Sequence, residues 1–228
     1  MTITTTTISS TVLILLTLLL PLDAHSVSIP NGDLIFLRPP LSSTSSLDNA
    51  ILDTGIATLD WMKENQFNLS SRTISLHVAL SYVASNGSQY FVQAVPPTVV
   101  VTPVEEFLHM IPKGTELFHG RMMNVNEKER ESAILRALKQ VGKPYSNDFQ
   151  PPPNEFYCSS LVVYAYKNIQ SFIGKKIFKL LFVPISFWTK YYQDRGIKLP
   201  MNVTGSNPTL LMHSPVVQLL NVSFGGRE

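Results

Sequence analysis

Residues 157–162 read YCSSLV and contain the only cysteine of this 228-residue chain. A proline-rich loop, residues 144–153, precedes them, and the apolar pattern predicts a helix from about Phe156 to Ile169. Cys158 therefore stands near a predicted helix start, where the positive end of the helix dipole favours the nucleophilic thiolate. The residue is either such a nucleophile or a thiol that packs in the core, and the sequence pattern leaves both open.

The chain before Cys158 alternates between strand and helix patterns. Strands are predicted at residues 32–37, 73–83, 89–95, 99–103 and 115–123. Helices are predicted from Leu47 to Met62 with a break near Gly55, from Val104 to Met110, and from a cap at Asn126 to Gly142. The part from Pro200 onward looks irregular. Because strands come first and the cysteine helix follows them, we expect an α+β fold.

The first 26 residues have the pattern of a signal peptide. Residues 12–20 read VLILLTLLL, and a small-x-small triplet ending at Ser26 predicts cleavage before Val27. No Lys or Arg precedes the apolar core, so an uncleaved signal anchor is the alternative. We expect a signal peptide at 1–26 and one secreted or luminal domain at 27–228, with no membrane span after removal of the signal.

Four glycosylation patterns agree with export along a eukaryotic secretory route. They begin at Asn68, Asn86, Asn202 and Asn221. Composition narrows the function further. The formal net charge of +2 argues against a nucleic-acid binder. The histidines are scattered and there is one cysteine, so we expect neither a metal nor a cofactor.

A cysteine nucleophile needs a base within hydrogen-bond reach, and His77 is the candidate. It lies in a predicted strand among apolar residues, although a histidine in such a place is often a satisfied core residue. Gln93, on the next strand, has a side-chain oxygen that can orient the imidazole. An outward-facing glutamine is the alternative.

The register of the hairpin between these strands decides whether Gln93 can act. A two-residue turn at Asn86-Gly87 would pair Gln93 with Leu80, which faces away from His77. Only a three-residue loop or a bulge puts Gln93 on the face of His77. We therefore predict one there.

Short motifs in a fixed order then point to a family. They are Gly32–Phe36, His77–Leu80, Gly142–Tyr145 and Tyr157–Val162, with Gly205–Pro208 and Ser214-Pro215 in the C-terminal part. Together they resemble the permuted papain-like amidases, the YiiX/YebB-type members of the NlpC-like superfamily. The resemblance implies a circularly permuted papain-like fold, with an antiparallel sheet packed against the cysteine helix.

The resemblance also implies a site. It makes Cys158 the nucleophile and His77 the base, and Gln93 takes the third position, where the family usually has an acid. Tyr145 and Tyr157 are candidate substrate-binding residues, although Tyr157 could equally pack in the core. The backbone N–H of Cys158 can donate to an oxyanion.

The function we expect is hydrolysis of amide bonds, in peptides or peptidoglycan fragments, through a thioester acyl-enzyme. One alternative is a lipid acyl hydrolase or acyltransferase, in which the apolar segment 172–188 lines an acyl channel. That segment contains three lysines and Pro184, which disfavour a membrane span and favour a helix packed on the core. The other alternative is a binding module that keeps the fold without catalysis.

Overall fold

One antiparallel sheet organises the molecule. The structure is a computed structural model that describes residues 29–69, 71–168, 181–201 and 205–220. The strands in these ranges are β1 (Leu34–Arg38), β2 (His77–Val83), β3 (Gln89–Val95), β4 (Thr98–Pro103), β5 (Glu116–Met122) and β6 (Val217–Leu220). They form a sheet in the order β4-β3-β2-β1-β5-β6. The expected α+β class with an antiparallel sheet is confirmed.

Helices cover both faces of this sheet. In the described ranges they are α1 (Ser46–Glu64), α2 (Val104–Met110), α3 (Glu127–Leu138), α4 (Cys158–Tyr166), α5 (Ile185–Gln193) and α6 (Pro208–Met212). Val78 and Leu80 of β2 lie in the core that α3 and α4 cover. Phe91 of β3 lies in a second core on the other face, where Phe107 of α2 packs against it. The cysteine helix therefore packs directly across the strand that begins at His77.

The hairpin between β2 and β3 has a three-residue loop, as predicted. Leu80 pairs with Val92, and the backbone N–H of Ala84 donates to the carbonyl of Ser88 over 2.9 Å. The loop is therefore residues 85–87. Continuing this register places Gln93 opposite Ala79, which lies two positions after His77. Because side chains alternate between the faces of a strand, Gln93 and His77 share one face.

The first helix corrects one expectation from the sequence. The predicted break at Gly55 is wrong, because α1 runs through it without interruption. Its start is fixed by a capping box between Ser45 and Asp48. A Cβ at Gly55 would lie 2.6 Å from Oγ1 of Thr209. The glycine therefore allows α1 and α6 to approach each other closely.

Two further boundaries differ from the prediction for local reasons. β2 begins at His77, not at Thr73, because the hydroxyl of Ser75 donates to the carbonyls of Leu37 and His77 and bends the chain. His77 is thus the first residue of its strand. α3 ends at Leu138, before the predicted end at Gly142.

The segment after Pro200 is more regular than predicted. Asn207 caps α6, since its side-chain oxygen accepts the N–H of Leu210 over 2.7 Å. β6 then adds an edge strand beside β5. The short length of both elements hides their periodicity in the sequence.

Several predictions fall wholly or partly outside the described residues. These are the signal peptide at 1–26, most of the segment 172–188, and the sequons at Asn202 and Asn221. Asn68 and Asn86 are exposed. None of the helices that the structure describes is both long enough and apolar enough to cross a membrane.

Candidate active site

The residues before α4 present Cys158 as the first residue of that helix. Tyr145 forms a parallel bridge with Phe156, which ties the proline-rich loop to the approach to α4. The backbone N–H of Tyr157 donates to Oγ of Ser160 over 2.9 Å, and that hydroxyl donates back to the carbonyl of Tyr157 over 2.9 Å. These bonds fix the helix start, where Cys158 is 9% exposed.

Three neighbouring strands hold the imidazole of His77. Its Nε2–H donates to Oε1 of Gln93 over 2.8 Å. The amide nitrogen of Gln93 donates in turn to Oγ1 of Thr102 over 3.0 Å, and both of these partners are buried. Because Nε2 carries the ring proton, Nδ1 is the nitrogen that can accept one.

The sulfur of Cys158 lies beside the start of β2. Cys158 and His77 line the same cleft. The backbone N–H of Val78, the residue after His77, opposes the rise in the pKa of the Cys158 thiol that burial causes. The fold thus places Cys158 and His77, which are 81 positions apart (158 − 77) in the sequence, on the lining of one cleft, and it places Gln93 within hydrogen-bond distance of His77.

Burial keeps both the thiol and the imidazole neutral. It lowers the pKa of His77 to about 4, although the hydrogen bond with Gln93 opposes this shift. It raises the pKa of Cys158 to about 11, against the effect of nearby backbone N–H donors. Burial therefore opposes the thiolate that the helix start favours. Loss of water disfavours the charged sulfur more than the helix start stabilises it.

The cleft beside this pair is mostly apolar. Its volume is about 230 Å³. Aromatic rings from the loop before α4 and from the region of α5 form much of its wall. Phe149 packs edge-on against Tyr157 and Trp188 with centroid distances of 5.4 Å, and Phe182 packs edge-on against Trp188 at 5.5 Å.

The two predicted substrate-binding tyrosines both line the cleft, but they differ in their hydroxyl groups. The oxygen of Tyr157 accepts the backbone N–H of Ser206 over 3.2 Å, so this residue is tied into the wall. The hydroxyl of Tyr145 has no hydrogen-bond partner among the described residues. Burial, with a smaller effect of Cys158, raises the pKa of Tyr145, which keeps its O–H available as a donor.

A second buried polar cluster joins β1 to β5. Asp33 is 0% exposed and accepts the Nε2–H of His119 over 2.7 Å. Arg121 donates to both of its oxygens, over 3.0 Å from Nε and 2.7 Å from Nη2. Burial raises the pKa of Asp33, but the bonds from His119 and Arg121 and the charge of Arg121 outweigh it, so the pKa is lowered. This cluster lies outside the cleft.

The comparisons with known proteins identify the family and the fold of the chain. Residues 28–221 match the family model described as permuted papain-like amidase enzyme, YaeF/YiiX, C92 family. The chain belongs to the permuted papain-like amidases. The resemblance found in the sequence motifs is thereby confirmed.

The fold of this amidase is also found in a solved structure. The crystal structure of metalloprotein YiiX from Escherichia coli O157:H7 is similar, with a TM-score of 0.59 and 21% sequence identity. The match covers 84% of this chain and 96% of that chain. It shows the fold. No curated protein matches this amidase.

The description of YiiX as a metalloprotein raises the question of a metal site here. In the described ranges, no group of three or more His, Cys, Asp or Glu side chains is placed to hold a metal ion. Nε2 of His77 is engaged by Gln93, and Nε2 of His119 by Asp33. The described residues of this amidase therefore do not fit a metal centre.

Sequence reasoning missed some residues of the amidase site. Thr102 shares a face with Gln93 because Gln93 pairs with Val100, a register that the sequence does not reveal. Phe149 and Trp188 come from a loop and from α5, so no local pattern joins them. In the described part of segment 172–188, Phe182 and Trp188 line the cleft.

Proposed function

We propose that this protein is a cysteine amidase that works through a thioester acyl-enzyme, with Cys158 as nucleophile, His77 as base and Gln93 as the group that orients the base. The observation that carries the proposal is the hydrogen-bonded chain from His77 through Gln93 to Thr102 at the wall of the cleft that Cys158 lines. Membership of an amidase family supports amide bonds as the target.

The first half of the reaction begins from the neutral pair. The thiol of Cys158 gives its proton to Nδ1 of His77 while the sulfur attacks the substrate carbonyl. The imidazolium then protonates the leaving amine, the C–N bond breaks, and the acyl group stays on sulfur as a thioester. Gln93 accepts the Nε2–H throughout, which keeps Nδ1 directed to the proton.

The second half uses water in place of the thiol. His77 removes a proton from water, the resulting hydroxide attacks the thioester carbonyl, and the carboxylic acid leaves while the thiol is restored. Negative charge develops on the carbonyl oxygen in both halves. We assign its stabilisation to the backbone N–H of Cys158 and the unpartnered hydroxyl of Tyr145. Tyr157 contributes to the wall.

The test follows the acyl-enzyme directly. N-acyl p-nitroanilides and the matched p-nitrophenyl esters are incubated with the protein, and acid-quenched samples are analysed by intact mass spectrometry. We expect an acyl adduct on Cys158 in wild type and none in Cys158→Ala, with activity reduced about 10⁴-fold or more. His77→Ala should lose about 10²- to 10⁴-fold in kcat/KM.

A histidine outside the cleft provides the matched control. His109 lies on α2, and His109→Ala should keep wild-type kinetics. An adduct that forms equally well in His77→Ala would remove His77 from the mechanism. The absence of any adduct or turnover with all substrates would instead favour a binding module that keeps the fold.

A lipid acyl hydrolase or acyltransferase is the second candidate. The apolar wall of the cleft favours it, because a peptide backbone finds few free polar partners there. Turnover of the esters with no turnover of the anilides would support this candidate over the amidase.

We also propose that the protein is exported after removal of residues 1–26. The apolar run at 12–20 and the exposed sequon residues Asn68 and Asn86 support this proposal. The full chain expressed in eukaryotic cells should appear in the medium with Val27 as its first residue, and its mass should fall on treatment with an N-glycosidase. A cell-bound product that still begins at Met1 would indicate an uncleaved anchor.

A further inference from the structure

The polar groups on the cleft wall are already engaged within the protein. Ser159 donates to the carbonyl of Ser206 over 3.0 Å, and the hydroxyl of Ser206 donates to Oγ of Ser159 over 3.0 Å. Oγ1 of Thr54 donates to the carbonyl of Val183 over 3.0 Å and accepts its N–H over 3.2 Å. A substrate cannot use these groups without breaking internal hydrogen bonds.

The remaining amide and indole groups follow the same pattern. Asn207 donates to Oγ1 of Thr58 over 2.9 Å, while its side-chain oxygen caps α6. The indole N–H of Trp188 donates to a backbone carbonyl over 3.2 Å. The wall is therefore apolar in function as well as in composition. Among the described residues, the exceptions are the hydroxyl of Tyr145, Oδ1 of Asp48, the exposed Asn147 at the rim, and the Cys158–His77 pair.

Charge in the cleft points the same way. No Lys or Arg of the described ranges lines it, and its one carboxylate is that of Asp48. That carboxylate accepts the backbone N–H and the hydroxyl of Ser45 over 2.8 and 2.7 Å. An acidic acyl group, such as one with a free carboxylate, would lose its water here and gain no cationic partner.

We infer that the cleft selects an apolar acyl group, aliphatic or aromatic, of up to about nine non-hydrogen atoms. The size follows by proportion from a ~150 Å³ apolar cavity that holds benzene, set against about 230 Å³ here. The inference rests on the proposed acyl-enzyme mechanism. The cleft holds the acyl part of the substrate and not the amine. The amine must leave, and water must enter, before the thioester can be cleaved.

This size separates the expected substrate from long-chain lipids and from acidic wall peptides. A palmitoyl chain has nearly twice the number of atoms that the cavity holds. An acidic wall peptide would place a carboxylate against Trp188 and Phe182. The substrate class we assign is therefore an amide of a short or medium-length apolar acid.

The test is a chain-length series with one leaving group. Acetyl, butanoyl, hexanoyl, octanoyl, dodecanoyl and palmitoyl p-nitroanilides are compared by kcat/KM, with the matched p-nitrophenyl esters as a second series. We expect kcat/KM to rise about two- to fourfold per methylene up to octanoyl and then to level off or fall. An acyl group of octanoyl length with a terminal carboxylate should be at least about 100-fold slower than octanoyl.

A pair of variants localises the effect. Ile51 lines the cleft, and Ile51→Phe should move the optimum two to three carbons shorter. Leu135 on α3 is 59% exposed and does not line the cleft, so Leu135→Phe should keep the wild-type optimum. The same shift in both variants would overturn the inference.

The outcomes distinguish this inference from the proposed function. Turnover that depends on Cys158 but is flat with chain length, or rises up to palmitoyl, or accepts the carboxylate equally, would overturn the inference and leave the amidase standing. Selectivity that follows the size of the amine and not of the acyl group would also overturn it. Absence of all Cys158-dependent turnover would overturn the proposed function itself.

Discussion

Two histidines of the same sheet have opposite kinds of partner. His77 on β2 donates to the neutral amide of Gln93, and His119 on β5 donates to the carboxylate of Asp33. Both bonds are short, at 2.8 and 2.7 Å, and both acceptors are buried. The difference is the charge of the acceptor, and a guanidinium from Arg121 completes the second cluster.

This difference in charge gives the two regions different properties: the ring of His77 can accept a proton, and the Asp33 cluster links elements of the fold. Beside the neutral amide of Gln93, burial lowers the pKa of His77 to about 4, so the ring is neutral near pH 7 and can accept a proton. The carboxylate of Asp33 is held ionised by its two donors and ties β1 to β5. Gly32 extends that tie to α4, since its carbonyl accepts the hydroxyl of Tyr166 over 2.6 Å.

The largest expected effect comes from removing the charge of the structural cluster. Asp33→Asn leaves Arg121 and His119 without their buried anion, and we expect the free energy of unfolding to fall by about 3 kcal/mol in urea titrations near pH 7. Because the pKa of Asp33 is lowered by folding, its contribution is complete above the unfolded value near 3.8 and is lost as the pH falls through the lower folded value. The difference between wild type and variant should therefore narrow below pH 4.

A surface ion pair is the control for this measurement. Arg38 and Glu116 form a partly exposed pair on the same two strands, and Glu116→Gln should cost roughly 0.5 kcal/mol or less. If the Asp33→Asn protein were as stable as the Glu116→Gln protein, the buried cluster would contribute no more to the free energy of unfolding than the surface pair does.

An intermediate effect should follow when His77 receives the kind of partner that His119 has. Gln93→Glu places a carboxylate on Nε2 and should raise the pKa of His77, which stabilises an imidazolium beside a thiolate. We expect alkylation of Cys158 by iodoacetamide at pH 6 to become about tenfold faster, which corresponds to one unit of pKa. The measurement is the alkylation rate between pH 5 and 9.

The same charge change on an exposed strand controls for long-range electrostatics. Gln218→Glu on β6 should leave the alkylation profile as in wild type. A Gln93→Glu profile that coincides with wild type would mean that the partner of His77 does not set the protonation of the pair.

The smallest effect concerns the outer residue of the chain of hydrogen bonds. Thr102→Val removes the acceptor for the amide nitrogen of Gln93. The side-chain amide can then flip and place its nitrogen, in place of its oxygen, next to His77. We expect kcat/KM to fall about fivefold, a loss near 1 kcal/mol. Thr102→Ser keeps a hydroxyl and should recover most of the activity. Equal losses in both variants would indicate a packing effect in place of orientation.

The sequence predicted the order of strands and the cysteine helix because hydrophobic alternation and proline-rich breaks are local signals. It also predicted a three-residue loop or a bulge in the hairpin, since either one places Gln93 on the face of His77, and the hairpin has the loop. Burial is a property of the whole fold, so its effect on the pKa of Cys158 could not be predicted from the sequence. The contact between Gln93 and Thr102, and the aromatic wall, depend on chain segments far apart in sequence and could not be predicted.

The protonated state of Cys158 affects how fast its sulfur is oxidised. Peroxides and disulfides react with thiolates far faster than with thiols. Burial raises the pKa of Cys158 to about 11, which favours the thiol, the form that these oxidants attack slowly. In the proposed enzyme, we expect this to slow the conversion of Cys158 to sulfenic acid between turnovers.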